Sequence, residues 1–144
     1  MSTRASIKIS NANGKFVANI YHHYDGYPEY LGQKLIDFIQ SGKIVNGIRM
    51  GASGIQFNGF NDLAASLVVH LKDEIGNGNV YLYNEDDYGQ CGEDYLYEII
   101  ENPDEGGEPA VLVMNMDNEL EFVQDILDRV NDVKTFNEAP YGDE

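Results

Sequence analysis

The chain has 144 residues, with nine Lys/Arg against twenty-five Asp/Glu and a formal net charge of −16, a field that repels nucleic acid and draws in basic partners. A hydrophobic content of 42%, ten Tyr and six Phe supply one core and argue against disorder, and no apolar run approaches the roughly 20 residues that cross a bilayer. Cys91 is the single cysteine, which excludes an intrachain disulfide and a cysteine zinc cluster; with no apolar leader after Met1, the expected location is cytoplasmic.

The charge is segregated. Residues 1–72 hold seven Lys/Arg and four Asp/Glu, a balance of +3, whereas residues 73–144 hold two against twenty-one, a balance of −19. Acidity that served solubility alone would more often be mixed along the chain.

Ala5, Ile7 and Ile9 alternate with polar neighbours, as do Phe16, Ala18 and Ile20, and Asn13-Gly14 lies between them. This pattern predicts a β-hairpin over residues 4–22. Pro28 suits the first position of a helix that carries Leu31, Leu35, Phe38 and Ile39 on one face, with Gly42 as its end. Residues 43–59 are punctuated by Gly47, Gly51, Gly54 and Gly59, a connection of a length that is usually functional. A second helix is expected next, capped by Asn61 or Asp62, with Leu63, Ala64, Leu67, Val68, Leu71 and Ile75 on one arc.

The acidic half reads mostly as strands: Val80–Tyr83, Tyr95–Ile100 and Ala110–Met116. Leu120–Val123 fits a further strand before a short helix containing Ile126, Leu127 and Val130, while Glu119–Val130 fits a single helix equally well. Leu35, Phe38, Leu67, Leu71 and Ile99 are expected in the core. The order β-β-α-α-β-β-β predicts one α+β domain over residues 1–132, an antiparallel sheet of five to six strands with two main helices on one face, and a tail over 133–144.

Tyr21-His22-His23-Tyr24-Asp25-Gly26-Tyr27-Pro28 is the densest cluster of functional side chains. It reads either as turn and cap chemistry or as a ligand site built from His23, Tyr24, Asp25 and Tyr27. Adjacent strand residues point to opposite faces, so His22 and His23 cannot both hold one ion without a bend. His70 reads as a boundary residue of the second helix, and no HExxH or HxxxH spacing is present. Ser53 lacks the Gly-x-Ser-x-Gly elbow, and the glycines around it lack the Gly-Lys-Ser/Thr of a phosphate loop. Cys91 is flanked by Asp86, Asp87, Glu93 and Asp94, which raise a thiol pKa and argue against a reactive thiolate. The register around Asn84–Gly89 does not fit a calcium loop. No cofactor and no metal is implied.

With no basic stripe among the aromatics, direct nucleic-acid binding is not expected. The acidic clusters Glu85-Asp86-Asp87, Glu93-Asp94 and Asp104-Glu105 with Glu108 fit the opposite role. Carboxylates spaced along a sheet imitate phosphates and occupy a basic, nucleic-acid-binding groove. Tyr81, Tyr83, Tyr88, Tyr95 and Tyr97 add contact area, or face the core.

The run Tyr21-x-x-Tyr24-Asp25-Gly26-Tyr27-Pro28, then Gly32-x-x-Leu35-x-x-Phe38, Lys43–Arg49 and Asn58-Gly59, resembles a family of small uncharacterised phage and bacterial proteins that carry this motif after an N-terminal hairpin. The resemblance covers roughly residues 4–100 and transfers no activity. It implies a phage origin, and by association an action against host enzymes, including CRISPR effectors and restriction systems. The expectation is a non-enzymatic protein that binds a basic host protein through its acidic half, in its sharpest form an inhibitor of a defence nuclease by nucleic-acid mimicry. The rival expectation is a small-ligand or nucleotide-binding module, its pocket formed by the Tyr24–Pro28 turn and the glycine loop 46–59.

Overall fold

The computed structural model describes residues 2–51, 53–102, 108–115 and 120–138, with backbone alone for 132–138. The chain is α+β. Its strands are β1 (Ala5–Ser10), β2 (Phe16–His22), β3 (Gly42–Val45), β4 (Ile55–Asn58), β5 (Val80–Tyr83), β6 (Tyr95–Glu101), β7 (Pro109–Asn115) and β8 (Glu121–Phe122). The helices are α1 (Gln33–Gln40), α2 (Gly59–Leu71) and α3 (Val123–Glu138), and a wide π turn over Pro28–Gly32 leads into α1.

Six strands form one sheet in the order β5-β2-β1-β6-β7-β8, and β3 and β4 form a separate parallel pair. The hairpin β1–β2 is present as the alternation predicts, with Ile7 opposite Ile20. The sheet is not wholly antiparallel, as the sequence predicts it to be: the central pair β1–β6 is parallel, with Ile7 opposite Tyr97. The reason lies in residues 84–94. Instead of turning the chain back on itself, they cross from the β5 edge over β2 and β1 and deliver β6 to the far side of β1. Two strands of the same direction need such a crossover.

Ala5, Ile7, Ile9, Ile20, Tyr97, Ile99, Val111 and Val113 share one sheet face and pack against Leu35, Phe38, Leu63, Leu67, Leu71 and Val123 of the helices. Leu35, Phe38, Leu67, Leu71 and Ile99 are all buried. The second helix starts earlier than expected. Asn58 precedes its first residue, Gly59, and Asp62 serves by accepting the Asn58 N–H at 2.8 Å rather than by capping the helix itself. Leu71 ends α2, which leaves Ile75 fully exposed and off the apolar arc. α1 ends at Gln40 with Ser41 as its C-cap, directly before Gly42 as expected; Gly42 also opens β3, where a Cβ would lie 2.8 Å from Ile55 Cγ2 and 2.9 Å from its carbonyl oxygen. The C-terminal helix extends to Glu138, past residue 133 where the sequence predicts a tail to begin.

Candidate functional site

Among the described residues, the second face of the sheet carries no α-helix. Register places Tyr81 and Tyr83 of β5, Asn19 and Tyr21 of β2, Ser6 and Lys8 of β1, Leu96 and Glu98 of β6, and Leu112 of β7 on it. The crossing segment 84–94 lies over its centre and is pinned from both sides. Asn19 Nδ2 donates to the Asn84 carbonyl at 3.0 Å, and Tyr88 Oη donates to the Tyr97 carbonyl at 2.7 Å. Lys8 Nζ stands 3.7 Å from Glu85 and 5.7 Å above the Tyr88 ring. Burial drives the Tyr88 phenol pKa far upward, with Glu98 and Glu93 adding to it.

Glu93 belongs to the interior of this arrangement. It is buried, and its carboxylate accepts from Ser6 Oγ at 2.8 Å, Gly89 N–H at 2.7 Å and Cys91 N–H at 2.6 Å. The expectation that Glu93 meets a partner is therefore corrected: the side chain is consumed in fastening the loop to β1. Asp87 is half-buried and accepts the Asn84 N–H at 3.3 Å in a reciprocal cap of the short 3₁₀ turn Glu85–Asp87. Glu85, Asp86 and Asp94 remain exposed, and Asp94 also accepts the Arg4 N–H at 2.9 Å. Cys91 Sγ points at the Asp87 carbonyl, 3.5 Å away. Its pKa is raised by burial first and then by Glu93 and Asp87, so the thiol stays protonated.

The acidic positions do not form one strip. Glu108 is exposed but sits at the opposite end of β6 and β7 from Asp94, where its carbonyl accepts the Asn102 N–H at 2.7 Å. A strand of that length separates the two by roughly 20 Å. Asp104 and Glu105 lie outside the described residues.

Beside the loop, an aromatic ladder runs across the β2–β5 edge. Tyr81 and Tyr83 stack with centroids 5.9 Å apart, and Tyr21 lies 5.9 and 5.6 Å from them. Tyr21 Oη and His23 Nδ1 share a 2.8 Å hydrogen bond, and His23 meets Tyr24 edge-on at 4.6 Å. Tyr24, Tyr81 and Tyr83 are exposed; Tyr21 and Tyr97 are buried. Sequence reading left open which tyrosines face outward. The i, i+2 spacing of Tyr81 and Tyr83 was the available signal.

The Tyr24–Pro28 turn docks on the start of β1. Gly26 N–H donates to the Thr3 carbonyl at 2.9 Å, and Asp25 and Tyr27 stay exposed. His22 is buried on the helix-covered face and His23 is half-buried on the other side, as strand alternation predicts. Among the described residues no three His, Cys, Asp or Glu side chains are arranged to hold a metal ion.

The glycine loop does line a cleft, of about 1080 Å³, with Lys43, Arg49, Ser53, Gln56 and Glu108 on its walls. None of residues 24–28 reaches it. Asn46 and Asn58 instead border the hairpin turn Asn11–Asn13, at the far end of β1 from Gly26. The turn and the loop thus do not make one pocket, because the length of β1 stands between them.

Compared with known proteins, the chain matches no family model, and no curated protein or solved structure is similar to it. Among the described residues, no helix is long and apolar enough to cross a membrane.

Proposed function

We propose that the protein is a non-enzymatic interaction module that binds a basic protein surface with the face made by the crossing segment 84–94 and the tyrosines of β5. The observation that carries this reading is the exposed pair Glu85–Asp86, held on a hydrogen-bonded platform next to exposed Tyr81 and Tyr83. Lys8 supplies the one ion pair that reaches this group among the described residues. Uncompensated carboxylates steer a cationic partner and are screened over about 8 Å at physiological ionic strength. The sharpest form of the proposal is that the basic surface is a nucleic-acid-binding groove of a host defence nuclease, occupied in place of its substrate.

The test is binding to purified nucleic-acid-binding nucleases at low and high salt, with duplex DNA as competitor. Binding is expected to weaken with salt, to yield to DNA and to be lost in the Glu85→Lys/Asp86→Lys double variant, whose side chains are exposed. Salt-independent binding that survives the double reversal sinks the proposal. Glu93 is left intact in this variant because it holds the loop.

A second reading has its own observation. Lys43 and Arg49 both line the 1080 Å³ cleft, and Arg49 is held by Gln56, which accepts its N–H at 2.9 Å and donates to its carbonyl at 3.0 Å. Such a cleft suits a small anionic ligand. Equilibrium dialysis against nucleotides, with Arg49→Ala as control, separates this reading from the first.

A further inference from the structure

The sheet ends at β5, and its outer edge has no strand partner among the described residues. Which backbone groups face outward follows from a single bond. His23 N–H donates to the Asn79 carbonyl at 3.0 Å, so residues 23 and 79 form a hydrogen-bonded pair of the antiparallel β2–β5 ladder. Such pairs alternate along the ladder. Tyr21–Tyr81 and Asn19–Tyr83 are then also hydrogen-bonded pairs, whereas Val80 and Leu82 turn their N–H and C=O groups away from β2. Lys72 Nζ confirms the direction by reaching the Val80 carbonyl from outside, at 3.4 Å. Leu82 therefore offers a donor and an acceptor to the free edge, and the residue is 65% exposed.

We infer that β5 receives an extended basic segment of a partner as a seventh strand, paired antiparallel with Leu82. This rests on the reading that the partner is basic, and names how it is held. Charge complementarity selects the occupant. Asp73 and Glu74 precede β5 next to Lys72, and Glu85 and Asp86 follow it; all four carboxylates are exposed. A second copy of a chain with net charge −16 would meet the same carboxylates with its own.

The ladder also dictates the side-chain pattern. In a paired strand, opposite residues share a face. The residue opposite Leu82 lies beside an exposed aliphatic side chain and is apolar. Its two neighbours stand opposite Tyr81 and Tyr83, whose stacked rings suit Arg or Lys by cation–π contact. The segment is thus basic–apolar–basic, with main-chain bonds giving affinity and alternate side chains giving selectivity.

The test uses the full chain and a fluorescein-labelled Lys-Arg-Val-Arg-Lys peptide. Binding is read by anisotropy and the site by amide hydrogen exchange. The Leu82 amide is expected to slow on binding, while those of Tyr81 and Tyr83, already bonded to β2, change little. N-methylation of the peptide valine, which removes one main-chain bond, is expected to weaken binding about tenfold. Leu82→Lys changes only an exposed side chain and is expected to weaken binding to a similar degree. An unchanged Leu82 amide with the peptide bound overturns strand addition and leaves the acidic-face reading standing. A neutral Gln-Val-Gln peptide that binds equally well overturns the acidic-face reading itself. No binding of the basic peptide, or a concentration-dependent dimer formed through β5 without it, also overturns the inference.

Discussion

Tyr97 Oη donates a buried 2.7 Å hydrogen bond to the carbonyl of Gly26, 71 residues earlier in the chain. It joins the central strand β6 to the turn that precedes α1, and burial drives the phenol pKa far upward. Gly26 is pressed against β1 at the same point: an added Cβ would sit 2.7 Å from Ala5 Cβ and 2.9 Å from the Thr3 carbonyl oxygen. The densest functional-looking motif of the sequence thus has a structural task. Tyr97→Phe leaves a buried carbonyl without its partner and is expected to cost about 1–3 kcal/mol. Gly26→Ala forces β1 and the turn apart and is expected to cost about 2–3 kcal/mol. Urea unfolding of both variants checks this; losses within error of zero would mean that the turn is not held by these contacts.

Asp25 is a left-handed residue, with φ of 53°. It makes no capping bond, and the residue that precedes the π turn is Tyr27. A loss on Asp25→Ala therefore comes from backbone strain rather than from a missing cap, about 1 kcal/mol. Asp25→Gly is expected to cost less than Asp25→Ala, since glycine adopts this conformation freely. Equal losses in the two variants, measured by thermal melting, would contradict a backbone origin.

Glu93 fastens the crossing loop through three hydrogen bonds. Glu93→Ala strands Ser6 Oγ and two loop N–H groups, with an expected loss of about 3 kcal/mol. Because the loop covers the Cys91 thiol only partly, its release is also expected to speed Cys91 labelling by a thiol reagent. Labelling at the wild-type rate in a folded Glu93→Ala protein would show that the loop is held by other means.

His22 gives stability a pH dependence with a definite sign. Its folded-state pKa lies below 6.5, chiefly because burial disfavours the imidazolium. Below about pH 6.5 the unfolded chain binds a proton that the folded one resists, so this contribution falls as the pH drops. The stability of the wild type relative to His22→Leu is expected to decline between pH 7.5 and 5.5. The comparison cancels the carboxylate repulsion that acid relieves in both proteins. A difference that is constant or grows toward acid would reverse the assignment.

Periodicity alone determined the hairpin 4–22, the apolar faces of the first two helices, and the strands Val80–Tyr83 and Tyr95–Ile100, because a strand's period of two and a helix's of 3.6 are written locally. It also separated His22 from His23. Tertiary structure decided the rest. The parallel β1–β6 pairing arises because residues 84–94 cross the sheet, and nothing in their local composition distinguishes a crossing from a turn. The inward Glu93 and the outward Asp86 are alike as sequence; the distant Ser6 hydroxyl on β1, added to two N–H groups of the loop itself, makes the difference. The glycine loop and the Tyr24–Pro28 turn looked like two sides of one pocket, and the length of β1 holds them apart. Charge segregation is a property of the chain, but which carboxylates reach a partner depends on which ones the fold has already used for its own hydrogen bonds.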